Sequence, residues 1–490
     1  MAGIPGLDDV LGGGFPTQRL YLIEGDPGSG KTTLALMFLM EGARLGEPVL
    51  YITLSETKAE LDTIAASHGW SLDNIKIVEL IRSVEELEPD NQHMMFLPGD
   101  VELGETNKAI FAEVEKIKPK RVVIDSLSEL RLLSNSPLRF RRQILSLKQF
   151  FVGHEATVLL LDNRAGEDGG LHLQSIPHGV LTLEHLPPAF GGDRRRLRVA
   201  KLRGQKFRGG YHDFNIRTGG LDVFPRLIAA EHSGEPPPKP FTGSVPELDA
   251  LFGGGIEAGT SVLLVGPAGC GKSSVAVSYA RAAAGRGERA ALFIFDERTE
   301  TLLNRSAGQG LDLTEQLASG RITIQQVDPA ELSPGEFSNA VRLAVEGLDG
   351  SPPAKLIVID SLNGYLHAMP EERYLTAQLH ELLTYLGHKG VVTFLVLAQQ
   401  GMVGMSIAPV DTSYLADSVM LFRYFEARGE VRQAISVAKK RSGKHERTIR
   451  ELWLNGGIRV GEPLANFQGV LTGVPTFVGE ASSLMGLRNG

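Results

Sequence analysis

Two short stretches hold the residue types and spacings with the clearest chemistry. Gly25, Asp26, Pro27, Gly28, Ser29, Gly30, Lys31, Thr32 and Thr33 satisfy G-x-x-x-x-G-K-[ST]. Gly266, Pro267, Ala268, Gly269, Cys270, Gly271, Lys272, Ser273 and Ser274 satisfy it a second time. Glycines so placed let successive backbone N–H groups crowd a polyphosphate at a helix N-terminus, while the lysine reaches the outer phosphates. The expected ligand is ATP, with Mg²⁺ held by the hydroxyls of Thr32 and Ser273. A glycine-rich turn can stand beside a lysine by accident, yet on the order of a few hundredths of a match is expected in a chain this long. Two matches with the same flanks speak for phosphate binding.

A phosphate loop needs acidic partners. Apolar runs end in acid at Val122-Val123-Ile124-Asp125 and Ile357-Val358-Ile359-Asp360, and a carboxylate there orients the water shell of Mg²⁺. A strand-end aspartate that merely caps the next turn is the bland alternative. Hydrolysis also needs a group that orients and deprotonates the attacking water. Glu56 in the first half, and Asp296 with Glu297 in the second, end the strands expected beside the loops and are the candidates; capping a helix at Thr57 or Thr299 is their structural alternative. Basic pairs recur at matching places, Lys201 with Arg203 and Lys439 with Arg441. In a head-to-tail ring they would reach a neighbour's γ-phosphate. Solvated charge and nucleic-acid contact are the competing explanations.

The elements that position these residues repeat. Leu20 to Ile23 precedes the first loop as a buried strand and Val262 to Val265 the second, and helical stretches open at Leu34 and after Ser274. Helices are also expected at Lys58 to His68, Asn107 to Lys118, Arg139 to Phe151 and Tyr374 to Gly387, with strands at Thr157 to Leu161 and Val392 to Leu397. Gly179 to Leu186 and Leu197 to Leu202 form a hairpin around Gly191-Gly192-Asp193. Near-continuous apolar strands alternating with helices denote an α/β fold, a mostly parallel sheet covered by helices on both faces. The chain therefore divides into two domains, residues 1–232 and 241–490, joined by a proline-rich linker over 233–240.

Composition narrows the classes. The 490 residues carry a formal charge of -8, giving no general attraction to nucleic acid or to an anionic membrane. A single cysteine, Cys270, excludes a disulfide framework and a cysteine-rich zinc site and suits a reducing, cytoplasmic setting. No apolar run has the length of a membrane span, and the first residues lack the features of a signal peptide.

The ordered set IPGLDDVLGGG, GDPGSGKTT, LYITLSE, VVIDSL and KLRG, then GPAGCGKSS, FIFDER, IVIDSL and KKRSGKHERTIREL, resembles the KaiC family of double RecA-type ATPases over nearly the whole chain. The resemblance implies two tandem RecA-like P-loop domains in a two-tiered homohexamer, with ATP and Mg²⁺ at each subunit interface. One tier is mainly an ATPase, and the other phosphorylates itself on serine or threonine in the clock proteins. It makes Glu56 the water-activating carboxylate of the first tier, although Ser55 stands where a second acid is usual. In the second tier Asp296 takes the place of the kinase's glutamate base and Glu297 is retained; a carboxylate shorter by one methylene is retracted, which can cost around a hundredfold. Lys201, Arg203, Lys439 and Arg441 match the basic residues acting in trans. The acceptor pair falls at Ser413-Tyr414, leaving Ser413 as the candidate acceptor, with Thr412 nearby. A short tail after Asn466-Phe467-Gln468 points to a KaiB-like partner rather than a KaiA-like one. Two other classes stay open: a DNA motor or recombinase on the same core, and a scaffold whose second tier binds ATP without turning it over.

Overall fold

The apolar runs flanking the phosphate loops pair as strands of two nine-stranded sheets, seen here in a computed structural model. Described are residues 1–80, 98–134, 136–164, 171–188, 191–232, 234, 239–347, 351–367, 374–399, 414–471 and 475–478. The first sheet is built from β1 (Leu20–Gly25), β2 (Val49–Thr53), β3 (Lys76–Glu79), β4 (Arg121–Asp125), β5 (Thr157–Asn163), β6 (Gly179–Leu186), β7 (Arg194–Leu202), β8 (His212–Arg217) and β9 (Gly220–Phe224). Its order is β3-β2-β4-β5-β1-β6-β7-β8-β9, parallel as far as β6 and antiparallel beyond.

The second sheet repeats that order with β10 (Ser261–Gly266), β11 (Arg289–Ile294), β12 (Ile322–Gln326), β13 (Ala354–Asp360), β14 (Val392–Ala398), β15 (Ser418–Ala427), β16 (Glu430–Lys440), β17 (Arg450–Trp453) and β18 (Arg459–Pro463). It runs β12-β11-β13-β14-β10-β15-β16-β17-β18.

Alternation along the strands explains the layers. Tyr21, Ile23, Tyr51, Val123 and Leu159 point to one face and pack on Leu34, Leu36, Phe38 and Leu39 of the helix Lys31–Arg44. Leu20, Leu22, Leu50, Ile52, Val122 and Ile124 point to the other and pack on Ile110 and Val114 of the helix Pro98–Ile117 and on Ile144, Leu147 and Phe151 of the helix Pro137–Gly153. Two apolar layers likewise sandwich the second sheet.

The strands that carry the candidate bases are expected beside the loops. Instead β2 and β11 stand third from β1 and β10, because β4 and β5, or β13 and β14, pair in between. The other differences are local. The hairpin strand β7 starts at Arg194 rather than Leu197, because arginines on a solvent-facing strand hide the apolar alternation; Arg196 pairs with Glu184 across the hairpin at 2.7 Å. The helix expected from Asn107 begins at Pro98, a residue suited to a first turn.

The chain divides into Met1–Arg226 and Leu227–Gly490, so the seam lies six residues before residue 232. The cause is visible at Ala229, which is buried. Its N–H donates to Glu381 at 3.2 Å, its carbonyl meets Nδ1 of His388 at 3.0 Å, and His232 stands edge-on to Tyr385. Of the linker expected at 233–240, residues 233 and 235–238 lie outside the described residues. Among the described residues no helix is long and apolar enough to cross a membrane.

Candidate nucleotide-binding sites

Each loop leaves the carboxyl end of the central strand and turns directly into a helix, β1 into Lys31–Arg44 and β10 into the helix Lys272–Gly285. The residue before each helix has a left-handed backbone, Gly30 at φ 93° and Gly271 at φ 97°. A Cβ at Gly30 would also come within 2.8 Å of Ile216 and one at Gly271 within 2.9 Å of Leu454, so both the conformation and the space call for glycine. The helix N-terminus that follows offers N–H groups with no intrahelical acceptor and the positive end of the helix dipole. Lys31 folds over the loop, its Nζ donating to the carbonyls of Gly25 at 2.8 Å and Asp26 at 2.9 Å. Lys272 does the same with Gly266 at 2.8 Å and Pro267 at 2.5 Å. Burial pushes the proton affinity of both amines down, opposed at Lys31 chiefly by the nearby Asp125 and at Lys272 by Cys270 and Asp360. Cys270 is itself buried, its Sγ 2.9 Å from the Pro267 carbonyl.

Asp125 closes β4, which β5 separates from β1, in register with Thr53 of β2 and Leu161 of β5. The Thr32 hydroxyl donates to its Oδ2 at 3.3 Å, and the Tyr51 phenol donates to the same oxygen at 2.5 Å. Burial raises the proton affinity of Asp125, while the hydrogen bonds from Tyr51 and Thr32 and the charge of Lys31 work the other way. Asp360 closes β13 in the second unit; burial raises it too, and a hydrogen bond from Ser273 opposes. A non-proline cis peptide follows both aspartates. In each site one hydroxyl and one carboxylate converge beside the loop lysine, a donor set that fits a hard divalent cation retaining most of its water. Tyr51 escaped the sequence reading because a tyrosine in an apolar strand looks like core; its position in the second repeat is Leu292.

The candidate bases differ between repeats. Glu56 follows β2 in a turn that Thr53 closes, accepting from the Glu56 N–H at 2.9 Å and donating to the Glu56 carbonyl at 2.6 Å. The next helix, Lys58–Ser67, is capped by Thr57 and Glu60 in a reciprocal box. Capping therefore does not use the Glu56 side chain, and among the described residues its Oε2 has no hydrogen-bond partner. Burial raises its proton affinity first, then the charges of Asp125 and Glu60, with Lys31 opposing. Glu297 is engaged instead: Arg305 donates to both its oxygens at 2.8 Å. Asp296 is exposed and accepts from the Ser361 hydroxyl. Arg305 was also missed, since a basic residue on a helix reads as solvated surface.

Beside the loops, Arg164 after β5 and Gln399 after β14 both donate their N–H to the loop's first glycine, Gly25 or Gly266. Arg164 pairs with Glu184 at 3.2 Å, and Gln399 accepts from Arg423 at 2.6 Å, so the side chain at this junction donates in the first repeat and accepts in the second.

The basic pairs lie away from their own loops. Lys201 pairs with Val180, level with Leu22 of β1, and its amine donates to the Gln174 carbonyl at 2.6 Å. Three residues of parallel strand, about 10 Å, separate that level from Gly25, toward the opposite end of the sheet. Lys439 likewise sits opposite Val419, level with Leu263, and donates to the Ala416 carbonyl at 2.9 Å. Arg203 and Arg441 are exposed, Arg203 near the Ser175 carbonyl and Arg441 paired with Asp417 at 3.3 Å. Ser413 and Thr412 lie outside the described residues.

A parallel sheet with an antiparallel extension, a phosphate loop after its central strand and an acid closing the next strand but one defines a RecA-like P-loop ATPase, here in tandem. The family model for the KaiC ATPase matches residues 1–228 and again 242–465. The chain belongs to the KaiC family. It is 27% identical over 480 residues to the circadian clock oscillator protein KaiC of Parasynechococcus marenigrum (strain WH8102), covering 96% of this chain and 92% of that one. Against the KaiC of Thermosynechococcus vestitus (strain NIES-2133 / IAM M-273 / BP-1) it is 28% identical over 487 residues, 96% of this chain and 91% of the relative.

Proposed function

We propose that the protein hydrolyses ATP to ADP and phosphate at sites completed between subunits of a ring, a homohexamer, and that the first domain carries most of the turnover. The observation behind this reading is Glu56: partly buried, not used by the helix cap, one oxygen unpartnered among the described residues, its proton affinity raised. A water between Glu56 and the γ-phosphorus gives its proton to the carboxylate as its oxygen bonds to phosphorus. The bond to the β–γ bridging oxygen breaks, that oxygen keeps the electron pair and ADP leaves. Lys31 and the loop N–H groups hold the phosphates in line. Thr32 with Asp125, and Ser273 with Asp360, would hold Mg²⁺, which when bound neutralises charge on the β- and γ-oxygens. Lys201 and Arg203, and Lys439 with Arg441, act on the neighbour's nucleotide. Their place at the far end of the sheet from their own loops supports action in trans.

The second domain retains ATP and phosphorylates Ser413, with Asp296 as base, while the protein works in the cytoplasm through signalling partners, a KaiB-like one among them. A tyrosine at 414 in place of a second hydroxyl acceptor of the serine and threonine type favours a regulatory ATPase over a two-site phosphorylation timer. Purified protein incubated with γ-labelled ATP tests both steps. Free labelled phosphate that Glu56→Gln cuts steeply, with protein-bound label that Ser413→Ala abolishes, is the expected pair of results; absence of both products from the wild type defeats the enzyme reading. Single-stranded DNA is expected to leave the rate unchanged.

A further inference from the structure

One constant register relates Lys31 to Lys272, Glu56 to Glu297, Leu61 to Leu302 and Ala65 to Ser306. The aligned residues behave alike: Leu61 and Leu302 are buried, as are Ala65 and Ser306. In that register Arg305 stands where the first repeat has Ile64, a residue that packs on the first core. The exchange changes what the neighbouring carboxylate meets. Arg305, on the helix Thr299–Gly308, sends Nη1 to Glu297 Oε2 and Nη2 to Oε1, each at 2.8 Å. The ion pair is partly shielded, with the Glu297 side chain 21% exposed and that of Arg305 35%.

A two-pronged guanidinium contact fixes a carboxylate in its plane, and the carboxylate turns only by giving up two charge-assisted hydrogen bonds together. Glu56, with nothing equivalent, has one oxygen that is buried and without a hydrogen-bond partner among the described residues. The guanidinium also lies close enough to Asp360 to oppose the rise in its proton affinity, so the same cation bears on the acid that pairs with Ser273.

We propose that Arg305 is a positioning residue that withholds Glu297 from the attacking water, making the second site one that keeps ATP while the first turns it over. Glu297 then accepts the water's proton only when Arg305 releases one of its oxygens. The inference rests on reading Glu56 and Glu297 as the paired bases of the two sites.

The test uses the full-length protein with Glu56→Gln, compared first with the wild type and then taken as the parent for changes at Arg305. A steep fall in phosphate release from wild type to Glu56→Gln is the separate check on the reading of the bases. Within the Glu56→Gln parent, Arg305→Leu is expected to raise the residual kcat about tenfold with KM for ATP little changed, a partial recovery of what a general base supplies. Arg305→Lys, which keeps the charge but not the fork, should raise it less, and adding Glu297→Gln to Arg305→Leu should remove the gain. Arg305→Gln serves as the second neutral variant should Arg305→Leu melt early. An unchanged or lower kcat in the neutral variants, or a gain that survives Glu297→Gln, overturns the proposal.

Discussion

At the scale of single residues, the two sites share a loop lysine, a hydroxyl and a buried acid, and differ in what surrounds the remaining carboxylates. Glu56 titrates above the ordinary glutamate range because burial and the charges of Asp125 and Glu60 disfavour its ionised form. A base must be ionised, so turnover by the first domain should fall on acidification through that raised value, at higher pH than a free glutamate would impose. Glu56→Gln should cost at least about a hundredfold in phosphate release and abolish this acidic limb. Glu60→Gln keeps a side chain able to complete the cap with Thr57 but removes one like charge, so a pH–rate profile should show the limb moved to lower pH. Tyr51 donates to Asp125 at 2.5 Å. Removing its hydroxyl takes away one stabilising bond to the ionised acid, worth about 1 kcal/mol. Tyr51→Phe, measured in a Glu297→Gln background, should therefore raise the Mg²⁺ concentration for half-maximal ATPase about fivefold, and Leu292→Phe in the second repeat should not.

Among the elements, the strand–loop–helix unit makes glycine obligatory at two places. Gly30→Ala must hold a side chain at φ 93° with its Cβ against Ile216, at a cost of about 1–3 kcal/mol. That variant should lose the part of its thermal stabilisation by ATP that comes from the first domain, while Gly271→Ala should lose the other part; melting curves with and without nucleotide separate them. The antiparallel extension β6–β9 matters in a different way. By running back along β6, β7 carries Lys201 to the end of the sheet away from the loop at Gly25. This placement is what the proposed action of Lys201 on a neighbour's nucleotide rests on.

For the whole molecule, the trans action proposed for these cations makes activity a property of the assembly, and mixing variants tests it. Protein with Lys272→Ala, which silences the second loop, provides the background. Adding Lys31→Ala to one preparation and Lys201→Ala with Arg203→Ala to another should leave each nearly inactive. Co-assembled in equal amounts, the two should regain about a quarter of the parental rate, because one interface in four then joins an intact loop to intact cations. No recovery on mixing, with rings formed, would place the cations outside the reaction.

Sequence alone determined the parts that repeat: the two loops, the apolar strands before them, the acids that end β4 and β13, and the KaiC kinship that the ordered motifs carry. Those features are local, set by spacing along the chain and by the alternation that buries a strand on both faces. It left open the role of Glu56, because a strand-end acid before a helix reads equally well as a cap. Only tertiary structure decided that Thr57 and Glu60 cap that helix, that the Tyr51 phenol reaches Asp125, that Arg305 grips Glu297 from the next helix, and that Lys201 lies three residues along the sheet from its own loop with its amine on the Gln174 carbonyl. Each depends on the direction in which a side chain leaves one element toward another. Composition and periodicity carry no record of that direction.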